Sequence, residues 1–279
     1  MNIVKFDDLP INENIKKAVL EMGFEEPSPI QAQAIPKIIT GVDIIGQAQT
    51  GTGKTAAFSI PILDMVDPED KSLQAVVLCP TRELAIQIEE NFAAYARHTN
   101  IKSLVIFGGV SQNPQTKALK QGVDILIATP GRMLDLYNQK FLKLNDVKHF
   151  VLDEADSMLD MGMIHDVKRI MSYLPKVRQN IFFSATMPKE ISKLADSIFK
   201  NPVRVEVAPV SSTTEMVDQN IYFVSKKQKT NLLIELLKSN PKESVLVFSR
   251  TKHGANKITQ QLISSSISAA AIHENKSQN

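Results

Sequence analysis

The chain has 279 residues, of which 43% are hydrophobic and 22% charged, a composition typical of a globular protein with a buried core. The formal net charge is +2, and the mildly basic segment 218–279 is compatible with a polyanionic partner without identifying one. The single cysteine, Cys79, excludes a disulfide framework within the chain and favours a reducing compartment. There is no secretory signal at the N-terminus and no apolar run of membrane-spanning length, so we expect a cytoplasmic protein.

Seven short apolar runs alternate with helical patterns along residues 1–207. The runs are almost continuously apolar, which is typical of strands in a parallel sheet that helices cover on both faces. They are Val42–Ile45, Ala75–Leu78, Ser103–Phe107, Asp124–Ala128, His149–Leu152, Asn180–Phe183 and Val203–Val207. The sequence therefore predicts an α/β fold whose strand ends share one edge, where open sheets of this class bind ligands.

A second α/β pattern follows a polar segment of small residues at 208–217, which we interpret as an interdomain linker. The first domain is predicted to cover residues 1–207 and a short second domain residues 218–279. In the second domain we expect strands at Ile221–Val224, Ser244–Phe248 and Ala269–Ile272, and helices at Lys229–Leu237 and Gly254–Ile263.

The segment after the first predicted strand has the composition of a phosphate-binding loop. Its residues are Ala48, Gln49, Thr50, Gly51, Thr52, Gly53, Lys54 and Thr55. Glycines let backbone N–H groups turn towards phosphate oxygens, and the helix that follows adds the partial positive charge of its N-terminus. Lys54 is predicted to reach the β- and γ-phosphates and Thr55 to bind Mg²⁺, so the sequence predicts a nucleoside triphosphate site.

Two acidic residues, Asp153 and Glu154, come directly after the fifth predicted strand. An acid in this position holds Mg²⁺ in phosphate-loop NTPases. Adjacent residues at a strand end point in different directions, so Asp153 can hold metal-bound water while Glu154 orients the attacking water. We therefore predict Lys54, Asp153 and Glu154 as catalytic residues, and Thr55 and Asp153 as magnesium ligands.

Seven short motifs follow one another along the chain: Phe-Glu-Glu-Pro-Ser-Pro-Ile-Gln at 24–31 with the isolated aromatic Phe6 before it, the phosphate loop, Pro-Thr-Arg-Glu-Leu-Ala at 80–85, Gly108-Gly109, Thr-Pro-Gly-Arg at 129–132, Asp-Glu-Ala-Asp at 153–156 and Ser-Ala-Thr at 184–186. In this order they resemble the DEAD-box branch of superfamily 2 helicases, and Ser-Met-Leu-Asp-Met-Gly at 157–162 resembles its bacterial members. Each motif is short, and the order of all seven makes the resemblance specific. It implies a RecA-like first domain, an incomplete second lobe, and an RNA helicase that uses ATP and Mg²⁺.

The resemblance also implies roles for individual residues. Gln31 would pair with adenine through its amide, which carries both a donor and an acceptor, and Phe24 would stack on the base. Residues implied to contact the RNA backbone, independently of its sequence, are Pro80, Thr81, Arg82, Gly108, Gly109, Thr129, Gly131 and Arg132. Ser184 and Thr186 would couple the nucleotide site to the RNA site. We expect a monomer.

The last part of the chain departs from the family pattern. The motif whose arginines stabilise charge on the γ-phosphate in the family's second lobe does not occur, and Glu274 stands where the family usually has glycine. We therefore expect this chain to bind ATP but to be weak or inactive in unwinding. Two alternatives stay open: an ATP-dependent RNA clamp or chaperone without unwinding, and a DNA translocase or other phosphate-loop ATPase with a different client.

Overall fold

The computed structural model describes residues 5–199, 201–207, 218, 220–240 and 244–273. The chain divides into two compact units, Met1–Val210 and Ser211–Asn279. The predicted linker at 208–217 and Glu274 lie outside the described residues, so the expectations about them stay predictions. In the described part of the chain, no helix combines the length and apolarity needed to cross a lipid bilayer.

A seven-stranded sheet forms the centre of the first unit. Its strands are β1 (Ile44–Gln47), β2 (Ala75–Leu78), β3 (Ser103–Ile106), β4 (Ile125–Ala128), β5 (His149–Leu152), β6 (Gln179–Ser184) and β7 (Val203–Glu206). Every pairing is parallel, and the order across the sheet is β3-β4-β2-β5-β6-β1-β7. The predicted parallel α/β fold is therefore confirmed.

Helices cover both faces of this sheet. They are a 3₁₀ helix at Phe6–Asp8, then α1 (Glu13–Glu21), α2 (Pro29–Ile39), α3 (Lys54–Met65), α4 (Arg82–Tyr95), α5 (Asn113–Lys120), α6 (Pro130–Asn138), α7 (Ala155–Asp160), α8 (Ile164–Tyr173) and α9 (Lys189–Ile198). Successive strand residues point to opposite faces, so Val77 packs with α1 to α4 whereas Val76 and Leu78 pack with α6 to α9. Two apolar cores thus hold the strand ends in place from both sides.

Some strand boundaries differ from the apolar runs that predicted them. The first run predicts Val42–Ile45, whereas β1 spans Ile44–Gln47. Gln47 lies opposite Ser184 on one side and Glu206 on the other. Ladder bonds between backbones continue past the last apolar side chain, which explains why hydrophobicity alone misplaces the end of the strand.

The second unit contains two helices in its described residues, Lys229–Ser239 and Lys252–Ser264, which confirms both helices predicted there. The strand predictions for this unit were wrong. In its described part, no strand forms at Ile221–Val224, Ser244–Phe248 or Ala269–Ile272. A strand requires a hydrogen-bonded neighbour, which an apolar run does not supply, and the side chains of Phe223 and Phe248 are exposed.

Candidate functional site

The predicted phosphate loop connects β1 to α3. Gly51 and Gly53 have left-handed φ angles of +84° and +92°, which glycine adopts without a steric penalty. Gly53 is the N-cap of α3, so Lys54 and Thr55 begin the helix, where backbone N–H groups have no intrahelical partner. The loop therefore presents backbone donors and the positive end of a 12-residue helix at one point.

The ammonium group of Lys54 is buried at this point. The residue is only 7% exposed, and Nζ has no hydrogen-bond partner among the described residues. A buried cation without a partner is unfavourable unless an anion compensates it. The position at a helix N-terminus makes a phosphate group a suitable anion.

The acids Asp153 and Glu154 lie directly after β5, next to the phosphate loop. Asp153 is 2% exposed, and burial raises its pKa to about 7 although the charge of Lys54 acts in the opposite direction. Glu154 is the N-cap of α7 and has a left-handed φ of +52°, an uncommon conformation for a residue with a side chain. Its Oε2 accepts a hydrogen bond from Ser157 Oγ at 3.3 Å. The structure thus brings all three predicted catalytic residues together.

The side chains of Ser28 and Gln31 hold the phosphate loop from the start of α2. Gln31 Nε2 donates to the carbonyl oxygen of Gly53 at 3.1 Å, and Ser28 Oγ donates to that of Thr52 at 2.7 Å. Gln31 Oε1 accepts from Ser28 N at 2.9 Å, which completes a capping box. These bonds use one of the two N–H groups of the Gln31 amide, so pairing with adenine stays a prediction.

A cavity of about 420 Å³ connects these parts of the site. Residues of the predicted site that line it are Phe24, Gln31, Thr50, Gly51, Gly53, Lys54, Thr55, Asp153 and Glu154. Phe24 is 45% exposed, so its ring is accessible to a ligand. Phe6 also lines the cavity, although it is buried and its N–H donates to the carbonyl oxygen of Glu25.

Three residues of the predicted loop are not among those that line the cavity: Ala48, Gln49 and Thr52. Ala48 is buried against the sheet, where its N–H donates to the carbonyl oxygen of Ser184. Thr52 Oγ1 donates to the carbonyl oxygen of Gln49 at 2.7 Å and closes the loop on itself. Helix α4 supplies one wall of the cavity that the motifs do not predict: Leu84, Gln87, Asn91 and Tyr95.

A second concave surface lies beyond the ends of β2, β3 and β4. Its lining includes six of the residues implied to bind RNA: Pro80, Arg82, Gly108, Thr129, Gly131 and Arg132. Phe107, Asp135 and Met163 also line it, although the motifs do not predict a role for them there. Arg82 stacks over the Phe107 ring at 4.9 Å, a cation–π contact that orients the guanidinium.

Two further residues implied to bind RNA do not line this surface. Thr81 is the N-cap of α4 and its Oγ1 accepts a hydrogen bond from Leu84 N at 3.2 Å. Gly109 lies in the adjacent loop with a left-handed φ of +79°. The structure therefore gives Thr81 a capping role, and the RNA contact implied for it stays a prediction.

The predicted coupling residues Ser184 and Thr186 bond to the last acid of the Asp-Glu-Ala-Asp segment. Asp156 Oδ2 accepts from Thr186 N at 2.8 Å and from Thr186 Oγ1 at 2.9 Å. Asp156 N donates to Ser184 Oγ at 3.3 Å, and Ser184 Oγ donates to the carbonyl oxygen of Thr186 at 2.7 Å. Burial of Asp156 raises its pKa, but the bonds from Thr186 and Ser184 outweigh burial and leave this pKa below its ordinary value.

A parallel sheet with a glycine-rich loop and Lys-Thr after one strand and an Asp-Glu pair after another is the arrangement typical of the phosphate-loop NTPase class. Residues 28–194 match the DEAD/DEAH box helicase family. The chain belongs to this family.

Curated relatives and a solved structure support this assignment. The chain is 42% identical over 276 residues to DEAD-box ATP-dependent RNA helicase CshA of Streptococcus pneumoniae (strain TIGR4), covering 99% of this chain and 53% of that protein. It is 41% identical over 269 residues to DEAD-box ATP-dependent RNA helicase RhpA of Helicobacter pylori (strain B128), covering 96% and 54%. The chain thus spans about half the length of these relatives. A crystal structure of a DEAD box protein from the hyperthermophile Methanococcus jannaschii superposes with a TM-score of 0.71 at 37% identity, covering 98% of this chain and 74% of that one.

Proposed function

We propose that this chain carries the ATP site and part of the RNA site of an ATP-dependent RNA helicase. The observation that supports it most strongly is the buried ammonium of Lys54 at the N-terminus of α3, which has no hydrogen-bond partner in the described part of the chain and lies in one cavity with Asp153 and Glu154. A triphosphate would supply the compensating anion. The relatives that match almost the whole chain carry the same activity in their names.

Each part of the cavity has a distinct task in nucleotide binding. The loop amides and Lys54 would hold the β- and γ-phosphates. The exposed ring of Phe24 would stack on the base, and Gln31 would read its edge while it holds the loop in place. Adenine would be preferred over guanine, because guanine presents two acceptors where adenine presents a donor and an acceptor.

The oxygen donors of Thr55 and Asp153 fit Mg²⁺. Both residues line the cavity, and hydroxyl and carboxylate oxygens are the ligands that this hard cation prefers. No group of three or more His, Cys, Asp or Glu in the described residues could hold a metal, so a cation here would depend on phosphate and water ligands as well. When bound, Mg²⁺ would offset the charge of the phosphates. Glu154 would orient the attacking water.

The second concave surface is the proposed RNA site. It offers glycine backbones at Gly108 and Gly131, the hydroxyl of Thr129 and the guanidinium of Arg82, which suit phosphate and sugar contacts. Such contacts are independent of base sequence, and the 2′-hydroxyl would separate RNA from DNA. The bonds of Asp156 to Ser184 and Thr186 join the ends of β5 and β6 and support the proposed coupling between the two sites.

For the 279-residue chain by itself we propose less activity than for a complete RNA helicase. The motif whose arginines act on the γ-phosphate does not occur in the 279 residues. Such arginines accelerate phosphoryl transfer by about 10³–10⁵-fold. We therefore expect the 279-residue chain to bind ATP, to hydrolyse it weakly and not to unwind duplexes; brisk RNA-stimulated hydrolysis by this chain would contradict this part of the proposal.

Nucleotide binding tests the ATP site directly. Titration of the chain with a fluorescent, non-hydrolysable ATP analogue should give saturable binding that Lys54→Ala weakens by about tenfold or more, because a charge-assisted bond is lost. Lys189→Ala is the matched control, since Lys189 also begins a helix but is exposed, and it should bind like the wild type. Equal affinity in the Lys54→Ala variant would refute the proposed site.

RNA binding can be measured on the 279-residue chain, but stimulation of hydrolysis by a polynucleotide and strand release both need a version completed with a second lobe. RNA should stimulate its ATP hydrolysis more than DNA of the same sequence does, which separates the proposal from a DNA translocase. Release of a labelled strand from an RNA duplex separates a helicase from a clamp, because a clamp binds without releasing the strand.

A further inference from the structure

Two loops that follow neighbouring strands form much of the proposed RNA surface. β3 and β4 are paired in parallel, with Ile106 opposite Ala128, so the loop after Ile106 and the turn after Ala128 leave the sheet side by side. The first contains Gly108 and Gly109, and the second passes through Thr129 into the first turn of α6, which carries Arg132. Their relative position decides where backbone donors of the surface lie.

Gln115 on α5 connects the loop after β3 to the first turn of α6. It is 8% exposed, and both ends of its amide are bonded. Nε2 donates to the carbonyl oxygen of Phe107 at 3.2 Å, and Oε1 accepts from a terminal nitrogen (Nη1) of Arg132 at 2.9 Å. The other terminal nitrogen (Nη2) of Arg132 donates to the carbonyl oxygen of Val110 at 2.8 Å. Gln115 and Arg132 therefore bind the chain on both sides of the glycine pair.

The glycine pair has little else to fix its conformation. A Cβ placed on Gly108 or Gly109 would meet no atom within 4 Å, so neither residue packs against the body of the protein. Glycine also loses more conformational entropy on ordering than other residues do. Bonds to the carbonyl oxygens of Phe107 and Val110 therefore restrict the pair from its two flanks.

Hydrogen bonds hold the side chain of Arg132 against the protein, so it does not extend freely into solvent. It is 10% exposed, its two terminal nitrogens are bonded to protein oxygens, and its Nε lies 4.0 Å from Asp135 Oδ2. Sequence resemblance implies a direct RNA contact for Arg132. The geometry adds a second role, in which the guanidinium shapes the loop.

We propose that Gln115 is a positioning residue for RNA binding: together with Arg132 it holds the Gly108-Gly109 loop in the conformation that receives the polynucleotide backbone. The inference rests on the proposed RNA-binding function. Gln115 acts through Arg132 and the loop and does not line the surface itself. Its loss should therefore weaken RNA binding and leave the ATP site intact.

The test measures two affinities in the same samples of the full 279-residue chain. One is for a fluorescent single-stranded oligoribonucleotide in the presence of a non-hydrolysable ATP analogue, and the other is for the analogue itself. Gln115→Met has similar length and removes both bonds, so RNA affinity should fall by about tenfold. Analogue affinity, measured without RNA, should stay within about twofold of wild type, because Gln115 does not line the ATP cavity.

Three further variants make the readout specific. Gln121→Met lies at the end of the same helix, is exposed, and should match the wild type. Gln115→Glu keeps an acceptor for Arg132 but loses the donor to Phe107, so its RNA affinity should lie between those of the wild type and Gln115→Met. The double variant Gln115→Met/Arg132→Met should bind RNA no more weakly than Arg132→Met alone, because both residues act in one network.

The outcomes separate this inference from the proposed function. If the wild type binds no RNA, the proposed RNA function fails and the role of Gln115 fails with it. If the wild type binds RNA but Gln115→Met binds equally well, or if the two substitutions add independently, the positioning role alone is refuted. If Gln115→Met and Gln115→Glu lose analogue affinity in parallel with RNA affinity, Gln115 is merely structural and the inference is again refuted.

Discussion

The glycines of the phosphate loop differ in what surrounds them. Both Gly51 and Gly53 have left-handed φ angles, but only at Gly53 would an added Cβ collide with the Gln31 amide. Gly53→Ala should therefore lower the free energy of unfolding by about 2–4 kcal/mol, from backbone strain and overpacking together. Urea unfolding without nucleotide, followed by circular dichroism, measures this loss.

Gly51→Ala is the matched control for this prediction. It carries the same conformational cost, about 1–2 kcal/mol, but an added Cβ would meet no atom within 4 Å. The difference between the two variants then reports the contacts of the added Cβ with Gln31 and, more weakly, with Ser28 Oγ. Equal destabilisation would mean that Gln31 does not occupy the space behind the loop.

The sequence predicts residues whose chemistry is distinctive within a motif, and it misses residues that act by position. Lys54 and Asp153 were located because a phosphate loop and a strand-end acid have recognisable neighbours. Ser28-Pro29 before an apolar-periodic stretch predicts the start of α2, and the Ser-x-x-Gln spacing at Ser28 forms a capping box there. Gln115 carries no such signal, because its role depends on contacts with Arg132, 17 residues away, and with a backbone carbonyl.

At the scale of elements, β1 and β6 pack together because one residue of β1, Gly46, has no side chain. Gly46 lies opposite Phe183, and a Cβ on Gly46 would overlap the Phe183 ring, which is fully buried. Gly46→Ala should cost about 1–3 kcal/mol of unfolding free energy through overpacking. Urea denaturation of the single variants and of Gly46→Ala/Phe183→Leu gives the coupling, and the double variant should lose less than the sum of the two. Strict additivity would contradict the proposed overlap.

Buried polar side chains tie β5 to β6 and to the end of α2. Gln179 Nε2 donates to the carbonyl oxygens of Ile38 and Val42, both at 2.8 Å. The other end of the amide, Oε1, can only accept a hydrogen bond, and it lies 2.9 Å from His149 Nδ1. The bond requires the proton on Nδ1. Burial of His149 lowers its pKa and the charge of Lys148 acts in the same direction, while the bond to Gln179 partly opposes them.

This lowered pKa predicts a pH dependence of stability. Between the folded pKa of His149 and the unfolded value of about 6.5, the unfolded state binds more protons, so the free energy of unfolding falls as pH falls through this window. His149→Gln should remove that part of the slope, measured by urea unfolding at several pH values from about 7.5 down to 5. His165→Gln, at an exposed site, should keep the wild-type slope. An unchanged slope in His149→Gln would refute the prediction.

Strand cores were predictable because buried parallel strands are apolar on both faces, as Val76 and Val77 illustrate by packing on opposite sides of the sheet. Strand ends were less predictable, because Gln47 joins β1 through backbone bonds that its side chain does not signal. The same limit explains the second unit. Segment 244–248 is as apolar as a strand, but no neighbouring strand pairs with it in the described residues.

At the scale of the whole molecule, the two units differ in how much they bury. The first has apolar cores on both faces of its sheet, whereas Leu262 is the single buried hydrophobic residue in the described part of the second. The second unit instead exposes large apolar side chains, among them Ile221, Phe223 and Phe248. Folding requires enough buried apolar surface to offset conformational entropy, so the stability of the two units should be very unequal.

This inequality predicts the behaviour of two fragments. Residues 1–210 should unfold cooperatively and bind the ATP analogue as tightly as the 279-residue chain, because the cavity proposed to bind ATP is lined by residues of the first unit. Residues 211–279 alone should show no cooperative thermal transition by circular dichroism, because their described part buries so little apolar surface. The 279-residue chain is the control for both measurements. A sharp transition in the 211–279 fragment, or loss of analogue binding by the 1–210 fragment, would show that the stability of the chain is distributed differently from its buried surface.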